Sequence, residues 1–477
     1  MTGDLKTESA DHVDLLQKVQ SLSSLDDDFL EQIVQMASHK SVKRGDCLVN
    51  QGDPASSFYI VLKGRFVVLV GEKPIAEIAM GEPIGELAFF AGGTRTATVK
   101  AARNSTVLEL TKEAYEVLAK RTPEISSGVI RELSNRLAKS IPDHKALRPK
   151  AGKVCAVFPG GAGPLAPEFV AKLTSAFDSI PDWVVIDGSS FPGSVSDEAA
   201  MTSWLEQMEI QHGNLVLLCR NPNASAQNAD TVFIALDRSK DRAESIPPSS
   251  LEIELMEATL RKSLQLVLYR ADTGQTTRNT APWLDGRDVG LHHHVALDSQ
   301  KDFDRLARFI RGKALGLVMC GGGSFGTAHL GAIQALQERG FEFDFIGGTS
   351  VGSAMGAALS IGLTPHEVMD LCEDIFIKSK AMSRLTVPKH SLLDHHVLDA
   401  ALRHHYRDYM IEDVPINFYA NATSLTHNDV CVLRRGPLWE AVRASSSLPG
   451  FFPPFIRADG EVLIDGGLLD NAPVSAM

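Results

Sequence analysis

The stretch FDFIGGTSVGSAMGAALSIG, residues 343–362, decides how the C-terminal part of this chain is read. Its apolar start reads as a strand and its small-residue end as a helix, with Gly348-Thr349-Ser350-Val351-Gly352 at the junction. A serine between glycines at such a junction is the pattern of a nucleophile elbow, because a tight turn exposes the hydroxyl and small neighbours let the backbone make it. The helix start behind Ser350 favours negative charge developing there. Upstream, the strand LGLVMC (315–320) leads into Gly321-Gly322-Gly323-Ser324-Phe325-Gly326. Consecutive glycines let backbone N–H groups converge on an anion, so Gly321, Gly322 and Gly323 are candidate oxyanion donors. The same loop also spells GxGxxG, the pattern of a dinucleotide site. That site needs an acidic residue near the end of the next strand, where this chain has the serine turn; Asp344 stands near the strand's start. Downstream, Asp465-Gly466-Gly467 follows the strand EVLI, and a carboxylate there can take a proton from Ser350.

A chain of 477 residues suggests about three domains. The net charge of −12 argues against a nucleic-acid partner. Six scattered cysteines, Cys47, Cys155, Cys219, Cys320, Cys372 and Cys431, form no CxxC pair and suit a reducing, cytoplasmic setting. The acidic N-terminus predicts no signal peptide, and the apolar runs are too short to span a bilayer.

The N-terminal zone, residues 20–140, opens with an expected helix over Leu25–Ala37. Short alternating strands follow, punctuated by Gly45, Gly52, Gly64, Gly81 and Gly85, and predict a β-roll closed by a helix over 112–139. Within it, GELAFFAGGTRTA (85–97) can place two complementary groups around a ligand. Glu86 can accept from sugar hydroxyls and Arg95 can fork onto phosphate oxygens, with N–H groups of Gly85, Thr96 and Ala97 completing an anion nest. The competing reading is a roll that keeps its fold without a ligand. Residues 141–312 alternate buried-strand runs (VCAVF, WVVID, NLVLLC, TVFIAL, LQLVLY) with helical stretches, which predicts a parallel α/β layer. A further α/β unit is expected over 313–477.

The segment 85–97 resembles the phosphate-binding cassette of cyclic-nucleotide-binding domains. That resemblance implies cAMP or cGMP as a regulatory ligand, with Glu86 on the ribose, Arg95 on the cyclic phosphate, and Thr96 where a hydroxyl tends to accompany cGMP. The serine elbow, glycine loop and DGG triplet together resemble the patatin-like phospholipases. By that resemblance Ser350 is the nucleophile, Asp465 its base and Gly321–Gly323 the oxyanion hole, with no cofactor required. The run RASSSLPGFFPPF (443–455) is similar to that family's loop before the aspartate, and no catalytic role is carried onto it. The stretches WLEQMEIQHGNLVLL and APWLDGRDVGLHHHV extend the resemblance to neuropathy target esterase and its bacterial relatives. Two departures stand out. Phe325 occupies a position where the family usually has Arg or Lys, and only ten residues follow Gly467, so the domain is expected either to be truncated at its C-terminus or to close in an abbreviated way.

The expected protein is therefore multidomain, with a β-roll, an α/β connecting region and a patatin-like hydrolase domain. Its expected activity is cleavage of carboxylic esters in phospholipids or lysophospholipids, with cyclic-nucleotide regulation suggested by domain order. The alternative is a catalytically silent nucleotide-binding scaffold. No metal is expected. His292–His294 alternate faces on a strand and read as structural, and His395-His396 and His404-His405 read as surface. The basic and apolar segment 376–393 reads as a solvated loop over the site, or else as a membrane-facing flap in peripheral contact with lipid.

Overall fold

A computed structural model describes residues 36–71, 73–80, 82–121, 153–161, 163–191, 198–219, 226, 228–239, 247–259, 261–380, 384–387, 391–406 and 409–477. The expected helix over Leu25–Ala37, except its last two positions, and residues 122–139 of the closing helix lie outside these. The fold divides into two compact units. One falls within Met1–Pro159, Ile180–Phe233 and Ser250–Leu264, the other within Gly160–Ser179, Ile234–Ser249 and Gln265–Met477.

The first unit contains the β-roll. One four-stranded antiparallel sheet orders Ser38–Val42, Ser105–Thr111, Ser57–Lys63 and Pro83–Ile84; the other orders Cys47–Val49, Thr98–Ala101, Arg65–Val70 and Lys73–Ala79. The continuous run FYIVLKGRFVVLV is split between the two sheets at Gly64. A side chain there is excluded twice over, by a φ of +91° and by Ser105, whose Oγ would lie 2.1 Å from an added Cβ. Leu48, Val61, Phe66, Val99 and Val107 fill the space between the sheets. The same unit holds three parallel strands in the order Trp183–Asp187, Asn214–Leu218, Val154–Pro159. The strand Val154–Pro159 is buried at every position, as unbroken apolar strands in parallel layers are.

Three arginines from turns and strand ends of the roll meet carboxylates or backbone carbonyls of this layer. Arg65 Nε lies 3.2 Å from Asp230, Arg103 bridges Glu209 at 3.2 Å and Asp230 at 4.0 Å, and Arg44 donates to the carbonyls of Ala226 and Ala229 at 2.6 and 2.7 Å. Burial pushes the Arg44 guanidinium down to about 10 and raises the Glu209 carboxyl. Asp230 also accepts from the Val154 N–H at 2.9 Å. Removing one member of a buried ion cluster strands the others' charge. Asp230→Ala is accordingly expected to lower unfolding stability by about 3–5 kcal/mol, measured by urea titration of the full chain.

In the second unit, parallel strands Leu264–Arg270 and Leu291–Ala296 carry the histidine run. His292 and His294 point to one face, each donating from Nε2 to the Glu412 carbonyl at 2.9 Å, while His293 meets Gln265 Oε1 at 2.7 Å and the Phe309 ring. The remaining sheet of the unit orders Gly316–Met319, Phe345–Thr349, Asn417–Ser424, Val462–Asp465 and Phe455–Ile456, with Asp429–Leu433 also paired to Asn417–Ser424. The first three strands are parallel; Val462–Asp465 runs antiparallel to Asn417–Ser424.

Candidate active site

Ser350 follows strand Phe345–Thr349 directly and caps the start of helix Val351–Ser360 with φ +54° and ψ −126°. A positive φ at a residue with a side chain is strained, and it persists where the surroundings over-determine it. The surroundings here are tight. A Cβ on Gly348 would stand 2.4 Å from the Gly352 carbonyl oxygen, and one on Gly352 would stand 2.4 Å from that of Met319. Both glycines of the elbow are therefore needed for backbone to pass over backbone. The turn is also pinned by serines: Ser445 Oγ accepts the Ser350 N–H at 2.9 Å and donates to the Asn421 carbonyl at 2.6 Å, and Ser353 Oγ donates to the Ser350 carbonyl. Every residue from Gly352 to Ser360 is buried, which the small side chains of this helix permit.

Sheet register brings Asp465 to the serine. Thr349 pairs with Asn421, and Asp465 pairs with the next residue, Ala422. Ser350 and Asp465 thus emerge at one level on either side of the strand Asn417–Ser424. The Asp465 carboxylate is buried, accepts from the Gly467 N–H at 2.8 Å, and lines the same cavity wall as Ser350. Burial raises its pKa above the ordinary aspartate value, and the nearby Ser350 hydroxyl and Gly467 N–H oppose the rise. The following Gly466 packs on the Asn421 backbone, where a Cβ would lie 2.3 Å from the carbonyl oxygen.

The glycine loop faces the same space, with one correction to its expected role. Gly321 N–H donates to Asn471 Oδ1 at 3.0 Å, and Asn471 Nδ2 returns a hydrogen bond to the Gly321 carbonyl at 3.3 Å. The donors that remain along the cavity wall are those of Gly322 and Gly323, which meet no acceptor among the described residues. The loop then enters a 3-10 turn, Gly323–Thr327, before the helix Ala328–Gln337, unlike the direct entry into a helix that the dinucleotide pattern requires. Phe325 is 87% exposed. Ser350, Asp465 and the glycine loop line one cavity of about 1030 Å³, whose other walls include Met355, Phe376, Leu398 and Phe452. No histidine lines it among the described residues.

Two further residues hold the site and carry no signal beyond ordinary polarity in sequence. Asn421 donates to the Asp470 carbonyl at 2.6 Å, tying the turn after Asp465 to the central strand. Arg443, fully buried, donates to Asp399 at 2.6 Å and to Ser447 Oγ at 2.5 Å, and the Ser447 carbonyl accepts the Asp465 N–H. The loop noted for its resemblance thus supports the aspartate through its backbone.

In the β-roll, Arg95 is buried and directed inward, donating to the carbonyls of Gly85 at 3.0 Å and Ser57 at 2.5 Å. Gly85, at φ +79°, has no room for a Cβ, which would lie 2.0 Å from the guanidinium. Glu86 begins the short helix Glu86–Ala91 and is buried, while Thr96 is exposed and Ala97 half-buried.

The patatin-like phospholipase family matches residues 317–477, and the cyclic nucleotide-binding domain family matches residues 39–122. An uncharacterized NTE family protein of Mycobacterium tuberculosis is 30% identical over 476 residues, covering 97% of this chain and 77% of that protein. The chain belongs to the NTE family. Another NTE relative, neuropathy target esterase sws of Drosophila melanogaster, is 26% identical over 504 residues, covering 91% of this chain and 34% of the longer fly protein. Among solved structures, the N-terminal domain of a transcriptional regulator from Streptomyces coelicolor is 27% identical, covering 28% of this chain and 97% of that one, with a TM-score of 0.25. As an NTE protein, the chain carries a patatin-like phospholipase domain behind a cyclic-nucleotide-binding β-roll.

Outside these sites, Asp394, His395 and His396 bring potential ligand atoms within 4.8 Å of one another, at half-buried and exposed positions. His404 is exposed and His405 half-buried. All six cysteines are free thiols. Among the described residues, no helix is long and apolar enough to cross a membrane.

Proposed function

We propose that this NTE protein is a serine hydrolase that cleaves carboxylic esters of phospholipids or lysophospholipids through a Ser350–Asp465 dyad. The observation that carries the reading is the placement of the strained Ser350 beside the buried Asp465, both at the wall of a largely apolar cavity large enough for an acyl chain. Asp465 takes the Ser350 proton as Oγ attacks the acyl carbonyl. The N–H groups of Gly322 and Gly323 meet the oxyanion. Collapse of the tetrahedral species expels the glyceryl alkoxide, which takes the proton from Asp465. Water, deprotonated by Asp465, then attacks the acyl-serine, and collapse releases the fatty acid as Ser350 Oγ takes the proton back from Asp465. Fatty-acid release from a lysophospholipid, and labelling by an active-site serine probe, are expected for the wild type and absent for Ser350→Ala. Equal release by both proteins would sink the assignment.

The β-roll is the proposed nucleotide sensor, with Glu86 toward the ribose and Arg95 toward the cyclic phosphate. Support comes from the family match and from the placement of Arg95 against Gly85 at the start of the cassette helix. Calorimetry is expected to show cAMP or cGMP binding by the wild type and none by Arg95→Ala. The hydrolysis rate is expected to change at saturating nucleotide, which requires that the ligand favour one conformational state over another. Demonstrated binding with an unchanged rate would leave the roll a sensor without a coupled output. The free thiols and the composition favour a cytoplasmic setting.

A further inference from the structure

The wall of the catalytic cavity continues onto a surface unlike the rest of the chain. Between Asp374 and Asp394 the sequence IFIKSKAMSRLTVPKHSLL carries Lys378, Lys380, Arg384 and Lys389 and no carboxylate, in a chain of net charge −12. The carboxylates bounding this stretch stand at its ends, Asp374 at 2.8 Å from Lys378 and Asp394 at 3.9 Å from Arg384, and Lys380 between them is exposed. Large apolar side chains are interleaved with these cations and face water. Ile377 is 69%, Leu385 77% and Val387 74% exposed.

Hydrogen bonds fix this segment to the mouth of the cavity. Phe376 and Ile377, in the π-helical turn Glu373–Lys378, line the cavity from one side. At the other end, Leu392 and Leu393 donate to the carbonyls of Gly450 and Phe451 at 2.8 and 3.0 Å. Phe451 itself lines the cavity and is about half exposed. Residues 384–387 pair with 391–394 through Thr386 N–H to the Leu392 carbonyl and Asp394 N–H to the Arg384 carbonyl, which holds Leu385 and Val387 beside that rim. Phe325, next to the cavity-lining Ser324, is likewise exposed.

Solvated monomers rarely expose large apolar groups gathered in one place; such patches mark docking surfaces. Apolar side chains mixed with cations complement the hydrocarbon and phosphate layers of an anionic bilayer. We propose that the surface formed by Ile377, Lys380, Arg384, Leu385, Val387, Phe451 and Phe325 seats the catalytic unit on a lipid bilayer containing anionic phospholipid. An acyl chain then passes from the bilayer into the cavity without crossing water. The proposal rests on the hydrolase reading for its purpose and on the surface alone for binding.

The test uses the full chain and a Leu385→Glu/Val387→Glu variant, since neither residue lines the cavity. Flotation with vesicles of phosphatidylcholine and phosphatidylglycerol is measured in a Ser350→Ala background, so that hydrolysis does not alter the lipid. The chain without the glutamates is expected to float and the variant to lose about tenfold or more in partitioning, because two apolar contacts become charges at the interface. With Ser350 restored, hydrolysis of a monomeric short-chain ester is expected unchanged in the variant, and hydrolysis of vesicle lipid reduced in parallel with flotation. Equal flotation of the two proteins, or no flotation of either, overturns the docking proposal. Failure of the hydrolase reading shows separately, as no Ser350-dependent cleavage of the monomeric ester.

Discussion

Asp465→Asn is expected to lower kcat by about 10⁴ while making the folded protein more stable at neutral pH. The loss of rate follows from the proposed dyad. No histidine lines the cavity among the described residues, so the serine proton has Asp465 as its acceptor, and an amide cannot take it. The gain in stability follows from burial. The Asp465 carboxyl titrates above its ordinary value in the folded protein, chiefly because ionising it in that site forfeits hydration. A group whose folded pKa is raised contributes stability that is complete below the unfolded pKa and is lost as pH rises through the folded one. At pH 7 the wild type therefore carries a destabilising charge, worth about 1.4 kcal/mol for each unit of elevation. The asparagine avoids that charge and can still accept the Gly467 N–H. Thermal melts of both proteins from pH 8 to pH 4 are expected to show the variant higher at pH 8 and the gap closing toward pH 4. The same elevation places the acid limb of wild-type kcat/KM above the usual aspartate range. A variant that keeps its rate would remove Asp465 from the dyad, and one melting lower at pH 8 would show that lost hydrogen bonding outweighs relief of the buried charge.

Acid is expected to unfold the second unit steeply below about pH 6. His293 and His294 are buried, and burial, reinforced by the neighbouring His292, pushes His293 down to about 3 and His294 well below its usual value. A base whose folded pKa is depressed contributes stability that is complete above the unfolded pKa and drains as pH falls below it. Two such groups give a slope of about 2.7 kcal/mol per pH unit between pH 6 and the folded values. A fall from pH 6.5 to 5 then removes about 3 kcal/mol, a large share of the roughly 5–15 typical of a domain. Urea titrations across this range are expected to show that slope in the wild type and about half of it in His293→Gln, which can still hydrogen-bond to Gln265. A flat profile would mean that both imidazoles are solvated or already protonated in the folded chain.

Much of this protein is legible in its residues wherever steric necessity restricts the choice. Gly348 and Gly352 flank the serine because helix and strand backbones approach within 2.4 Å of where a Cβ would stand, and Gly64 and Gly85 are held by equally close neighbours in the roll. The five apolar runs expected as strands between 152 and 312 are strands, since burial on both faces leaves unbroken hydrophobic stretches. The histidine run, which suggests a metal by composition, divides between two faces as strand geometry requires.

Other features depend on pairings between distant residues. Nothing local to VLID says that its strand runs antiparallel, yet that direction and its register beside Asn421 and Ala422 carry Asp465 to Ser350. Asn471 looks like any turn residue, and its amide occupies the Gly321 N–H that the glycine run alone would assign to an oxyanion. Ser445 and Arg443 likewise acquire their positions from helix Leu438–Ser445 lying across the sheet. The sequence by itself determines the elbow, the glycine loop, the roll and the family, because these are set by close packing among near neighbours. Only the tertiary structure decides which N–H groups remain for an anion and which apolar side chains are left facing water, because hydrogen bonds are shared out among residues whose proximity the chain order does not express.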